Sequence, residues 1–197
     1  MAEGKRLFMG GFAAGMLALL VLASPARGAF VTLPNPVPLT EKSLDLLRKA
    51  NPADAPQWQL VVFGFTRCED ICPRSLENLS RLVKLAREEK VGLGGVFVSV
   101  DPDRDTDIVL ERYTAPLGEN TGYLRLEGEE LERFKDQFGV EAVFYNKNKG
   151  NEFFYQVDHS STAFVIDPAG RIRLVFDALE DVGSAEKMLR DNQDFFQ

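Results

Sequence analysis

Hydrophobic residues in this chain come in two forms: unbroken runs and stripes at helical spacing. Trp58 to Thr66 (WQLVVFGFT) is an unbroken run rich in β-branched and aromatic residues. It predicts a strand buried on both faces. Pro73 to Glu89 carries Leu76, Leu79, Leu82, Val83 and Ala86 on one stripe, which predicts an amphipathic helix. Val91 to Val100 predicts a second strand, and Asp105 or Thr106 can cap a helix running to about Ala115. Tyr123 to Leu126 fits a short strand. Glu129 to Phe138 fits a helix with Leu131, Phe134 and Phe138 inward and Gly139 as its stop. Phe144 to Gly150 (FYNKNKG) reads as an exposed polar loop. Thr162 to Asp167, a Pro168-Ala169-Gly170 turn, and Arg171 to Phe176 predict a β-hairpin, and a helix from about Ser184 to Asn192 closes the chain. Alternating strands and helices with a late hairpin give an α/β domain with a mixed central sheet.

The segment before Trp58 follows other rules. Residues 30–38 (FVTLPNPVP) hold Pro34, Pro36 and Pro38 and read as an extended tether. Thr40 to Ala50 fits a short helix with Leu44 and Leu47 inward, and Asn51 to Gln57 a loop. At the start of the chain, Lys5 and Arg6 precede twenty uncharged residues, Leu7 to Ala26. Such a segment in helical form reaches about 30 Å, close to the hydrocarbon thickness of a bilayer. It reads as a membrane anchor or, with small residues around Ala26-Arg27-Gly28, as a signal peptide. Either way the leading positive charges place the following domain on the non-cytoplasmic side. The expected division is residues 1–29 as signal peptide or anchor, 30–57 as tether and N-terminal segment, and 58–197 as a single folded domain.

Charge narrows the partners. The chain has 197 residues and a formal net charge of −7. An acidic domain has no electrostatic footprint for nucleic acid. It suits a metal cation or a positively charged partner.

The candidate chemistry lies in two cysteines and one histidine, Cys68, Cys72 and His159. A disulfide between cysteines four apart closes too short a loop to stabilise much, so a structural staple explains the pair poorly. Cys68 follows the first buried strand. Pro73 suits the first helical position and Cys72 the cap before it, where the helix dipole favours a thiolate. Two thiolates and an imidazole form a soft three-ligand set that favours Cu(I) and can also hold Cu(II). Asp158 is a candidate for orienting the imidazole. From the residues alone, a thiol–disulfide redox pair explains the cysteines equally well.

Three blocks in order carry a resemblance. The stretch FGFTRCEDICP (63–73), the stretch SVDPDRDT (99–106), and the stretch VDHS (157–160) followed by FVIDPAG (164–170) resemble the signatures of the Sco/SenC family. The resemblance implies a thioredoxin-like fold and copper bound, one ion per chain, through Cys68, Cys72 and His159. It implies a metallochaperone that assists assembly of the copper centre of cytochrome c oxidase. The implied partners are the oxidase's copper-bearing subunit or another copper chaperone, and the membrane through the N-terminal segment. The implied location is the bacterial periplasm, tethered to the inner membrane or exported, or the mitochondrial intermembrane space; the N-terminus lacks the Arg- and Ser-rich character of a transit peptide, which favours the first. Thiol–disulfide reduction by the Cys68/Cys72 dithiol, with the oxidase's copper-site cysteines as substrate, is the alternative. Asp101 and Arg104 are expected to form a structural turn that buttresses the site loop. One departure stands out: members of the family usually open the fold with a hairpin reading roughly FxLxDxxG, which residues 30–57 lack.

Overall fold

The computed structural model describes residues 30–51, 57–68, 71–148, 154–176, 179 and 182–196, with backbone only at 71 and 72. The signal or anchor segment expected over 1–29 lies outside the described residues.

The elements run β1 (Phe30–Pro38), α1 (Glu41–Ala50), β2 (Trp58–Gly64), α2 (Ile71–Glu88), β3 (Leu93–Ser99), α3 (Asp107–Thr114), β4 (Thr121–Leu124), α4 (Gly128–Phe138), β5 (Ala142–Tyr145), β6 (Gln156–His159), β7 (Ala163–Ile166), β8 (Arg171–Phe176) and α5 (Val182–Asp191). Six strands form one mixed sheet in the order β1-β8-β7-β2-β3-β4, and β5 and β6 form a separate two-stranded sheet. β2 pairs parallel with β3 and antiparallel with β7.

The buried run of β2 divides its side chains between two cores, because successive residues of a strand face opposite ways. Trp58, Leu60 and Val62 pack with Leu76, Leu79 and Leu82 of α2 and with Ala185, Met188 and Leu189 of α5. Val61 and Phe63 pack with Leu47 of α1 and with Leu131, Phe134 and Phe138 of α4. Helices therefore cover both faces, which is why β2 and β3 are buried along their whole length. On the α4 side an aromatic cluster fills the layer, with Phe138 lying 5.2 Å from Phe63 and 5.1 Å from Phe164 between ring centroids.

The helix boundaries follow local chemistry. Thr40 caps α1 by accepting from the Ser43 N–H at 3.3 Å, and Leu44 and Leu47 are buried as expected. Thr106 caps α3. Gly139 ends α4 in the left-handed region at φ 62, where a residue without a Cβ is favoured.

Two expectations need correction. Residues 30–38 are extended but are not merely a tether: β1 pairs antiparallel with β8 at the sheet edge, with an irregularity between Thr32 and Val37. Prolines, which cannot donate to a ladder, are tolerated at such an edge. The exposed loop expected from Phe144 begins two residues too early, since Phe144 and Tyr145 belong to β5.

Candidate metal site

The three sequence blocks converge at one end of the main sheet. β2 ends at Gly64, and β3 ends beside it with Gly64 opposite Ser99. The chain leaving β3 is tied to the same point by the Val100 N–H donating to the Gly64 carbonyl at 2.9 Å. β7 runs the other way, with Ala163 opposite Val62. The segment before Ala163, which carries His159, therefore lies at the carboxyl end of β2, where Cys68 also lies. Antiparallel pairing of β2 with β7 is the step that brings residues about ninety positions apart to one end of the fold.

Cys68 sits half-buried after the Thr66–Arg67 turn, its N–H donating to the Phe65 carbonyl at 3.2 Å. That turn is pinned from the second block. Asp105, fully buried, accepts from the Thr66 hydroxyl at 2.6 Å and from the Thr66 N–H at 3.2 Å. It also accepts from the Ser99 hydroxyl at 2.7 Å. Burial pushes the Asp105 carboxyl above its ordinary value, reinforced by the nearby charge of Asp101 and opposed by the bonds from Thr66 and Ser99. Arg125 closes this loop from outside, donating to the Asp105 carbonyl at 2.9 Å and to the Pro102 carbonyl at 3.0 Å. Asp101 and Arg104 form a buried ion pair beside it.

Cys72 lies one residue inside α2, which begins at Ile71 rather than at Pro73. It is in the first turn and not at the cap. Pro73 still costs nothing there, because N–H groups of the first turn have no partner within the helix. The Cys72 side chain, like Glu69 and Asp70, lies outside the described part of the structure.

His159 is the last residue of β6. Its imidazole packs edge-on against the Phe65 ring, with centroids 5.8 Å apart and planes at 82°. It also borders a small pocket shared with Ser75 and Leu76 of α2. Nδ1 lies 2.9 Å from the Ser160 carbonyl oxygen. A carbonyl only accepts, so this contact fits a proton on Nδ1 and leaves Nε2 as the nitrogen with a lone pair. The expectation that Asp158 orients the ring is not met. On β6, Asp158 is exposed with Val143 opposite it, while His159 faces inward with Ala142 opposite it. Neighbours on a strand point to opposite faces, and the Ser160 backbone takes the orienting role.

A family model described as SCO1/SenC matches residues 50–194. The chain belongs to the SCO1/SenC family. A SCO2-like protein of Rickettsia prowazekii is 37% identical over 114 residues, covering 57% of this chain and 54% of the relative. The chain spans about half the length of these curated relatives. The apo Sco1 protein of Thermus thermophilus superposes with a TM-score of 0.65 at 27% identity, covering 86% of this chain and 99% of that one. Arabidopsis thaliana ScoI, solved with copper bound, superposes with a TM-score of 0.63 at 24% identity, covering 86% and 99%. These likenesses establish the thioredoxin-like α/β fold. Among the described residues no helix is long and apolar enough to cross a membrane.

The sequence reading missed Asp105, taken only as one of two possible helix caps. It also missed Arg125, for which no local signal exists: its role depends on β4 lying beside β3.

Proposed function

We infer that this chain binds one copper ion through the Cys68 and Cys72 thiolates and the His159 imidazole, and passes it to an acceptor during assembly of the copper centre of cytochrome c oxidase. The observation that carries the reading is the placement of His159 against Phe65, three residues before Cys68, at the same end of the sheet. The donor set suits the ion: soft thiolates hold Cu(I), and an added imidazole accommodates Cu(II). Copper in an Arabidopsis Sco protein of the same fold supports it. Copper is the cargo here. The protein's part is to hold two sulfur donors at a strand-to-helix turn and one nitrogen donor on an adjoining strand end, so that a partner's cysteines can displace them one at a time. Such a role suits the periplasmic side of a bacterial membrane, with the oxidase's copper-bearing subunit or another copper chaperone as acceptor.

The test is titration of the reduced full chain, in detergent, with Cu(I) and separately with Cu(II), following stoichiometry and copper–thiolate absorption. One copper per chain, abolished by Cys68→Ser or Cys72→Ser and weakened by His159→Ala, is the expected result. Absence of copper binding in a dithiol that still exchanges with disulfides would overturn the reading in favour of thiol–disulfide chemistry.

A further inference from the structure

Arg104 has no role in the chemistry described so far, yet its position is costly to maintain. Its side chain is 4% exposed and that of its partner Asp101 is fully buried. A buried ion pair is seldom retained for stability alone, since apolar residues of the same volume often serve as well. What distinguishes this pair is what it touches. Arg104 Nε donates to Asp101, and the Tyr155 hydroxyl donates to the other oxygen of the same carboxylate. Arg104 Nη1 donates to the Tyr155 carbonyl at 2.9 Å. The guanidinium carbon lies 3.7 Å from the Tyr155 ring centroid and 5.7 Å from that of Phe65, both within the range of cation–π attraction. The Tyr155 ring, hydroxyl and carbonyl are therefore all held by one ion pair.

Phe65 and Tyr155 both lead from this guanidinium to His159, one by contact and the other along the chain. Tyr155 is the residue from which the chain enters β6, whose four residues end at His159. Phe65 is the ring against which the imidazole rests. We propose that Arg104 is a positioning residue for His159, setting the imidazole's orientation through Phe65 and Tyr155. The consequence for metal binding rests on the copper-site reading above; the positioning itself does not. Two of the sequence blocks meet at this guanidinium, Phe65 from the first and Asp101 and Arg104 from the second, and Tyr155 joins them just before the strand that carries His159 of the third. With these contacts loosened, Cu(II), which depends more on the nitrogen donor, loses more affinity than Cu(I), which two thiolates satisfy.

The experiment uses the fact that the chain has a single histidine, so its imidazole proton resonances are unambiguous. In the metal-free full chain, Arg104→Met is expected to move the His159 ring shifts toward those of an unconstrained histidine, as the Phe65 ring current is lost. Cu(II) affinity should fall about 10–100-fold, the size usual for residues that orient a metal-binding histidine, with a smaller change for Cu(I). In a His159→Ala background the same substitution should cost no further Cu(II) affinity. Unchanged His159 shifts in a folded Arg104→Met chain would overturn the proposal, as would an equal loss with and without His159. Should Arg104→Met fail to fold, Tyr155→Phe decides, because it keeps the ring and the carbonyl and removes only the bond to Asp101. A smaller shift in the same direction supports the proposal and no shift overturns it. A wild-type chain that binds no copper defeats the copper-site reading, while the resonances still decide the positioning.

Discussion

Replacing Asp105 tests whether the cysteine loop is held from the second block. The carboxylate serves three donors, the Thr66 N–H, the Thr66 hydroxyl and the hydroxyl of fully buried Ser99. Hydrogen bonds to a charged group are each worth about 1.5–3 kcal/mol, and a buried donor left unmatched costs about 1–3 kcal/mol. Against this stands the cost of keeping the charge buried, visible in the raised pKa. The net expectation is a loss of about 3 kcal/mol for Asp105→Ala and about 1–2 kcal/mol for Asp105→Asn, which keeps one acceptor. The pH dependence has a definite sign. A carboxyl whose folded pKa is raised above 3.8 holds its proton more tightly in the folded state, so its contribution is complete at low pH and declines as pH rises through the folded pKa. The cost of Asp105→Asn should therefore be largest near pH 4 and smaller at pH 7. Urea unfolding at several pH values measures both quantities. A cost below 1 kcal/mol for Asp105→Ala, or one for Asp105→Asn that grows with pH, would refute the reasoning.

Other expectations follow from the same contacts. Gly170 turns β7 into β8 at φ +80, and a Cβ there would lie 2.7 Å from Leu44 Cδ2 on α1. Gly170→Ala should thus cost about 1–3 kcal/mol in urea unfolding, and Leu44→Ala should recover part of it. Burial raises the Asp167 carboxyl, but the bonds from Arg171 and Arg173 outweigh this and hold it below its ordinary value. Its contribution is present above 3.8 and lost as pH falls through the folded pKa. Asp167→Asn should therefore be less stable at pH 7, by about 1–2 kcal/mol given the exposure of Arg171, and lose less stability on acidification; an acid titration followed by circular dichroism checks the crossing. Phe134→Ala, in the middle of the aromatic cluster and 1% exposed, should cost about 3–5 kcal/mol by thermal unfolding.

The elements most legible in the sequence were those with one unambiguous period. The unbroken run of β2 and the stripes of α2 and α4 could be placed to within a few residues because each buries a surface that only one geometry can bury. The illegible parts had competing signals. Three prolines made β1 resemble a linker, although an edge strand bonded on one side tolerates them. β5 and β6 are four residues each and alternate between exposed and half-buried, too short for a period to stand out beside a polar tract. Asp105 and Thr106 are both competent caps, and only the approach of the Thr66 turn decides that one caps α3 while the other pins the cysteine loop.

The ligand residues were legible because they fall in motifs, but their convergence depends on register, which no motif states. β7 places Ala163 and Val165 on the α2 side of the sheet and Phe164 and Ile166 on the α4 side. A slip of one residue against β2 would exchange these faces, forcing Phe164 out of the cluster with Phe63 and Phe138. It would also carry the segment bearing His159 about 3.3 Å along the sheet. The aromatic cluster that makes the slip unfavourable belongs to the same core that Cys68 packs against. Packing in that core therefore fixes how near the imidazole comes to Cys68, and a substitution there should be read for its effect on the site as well as on stability.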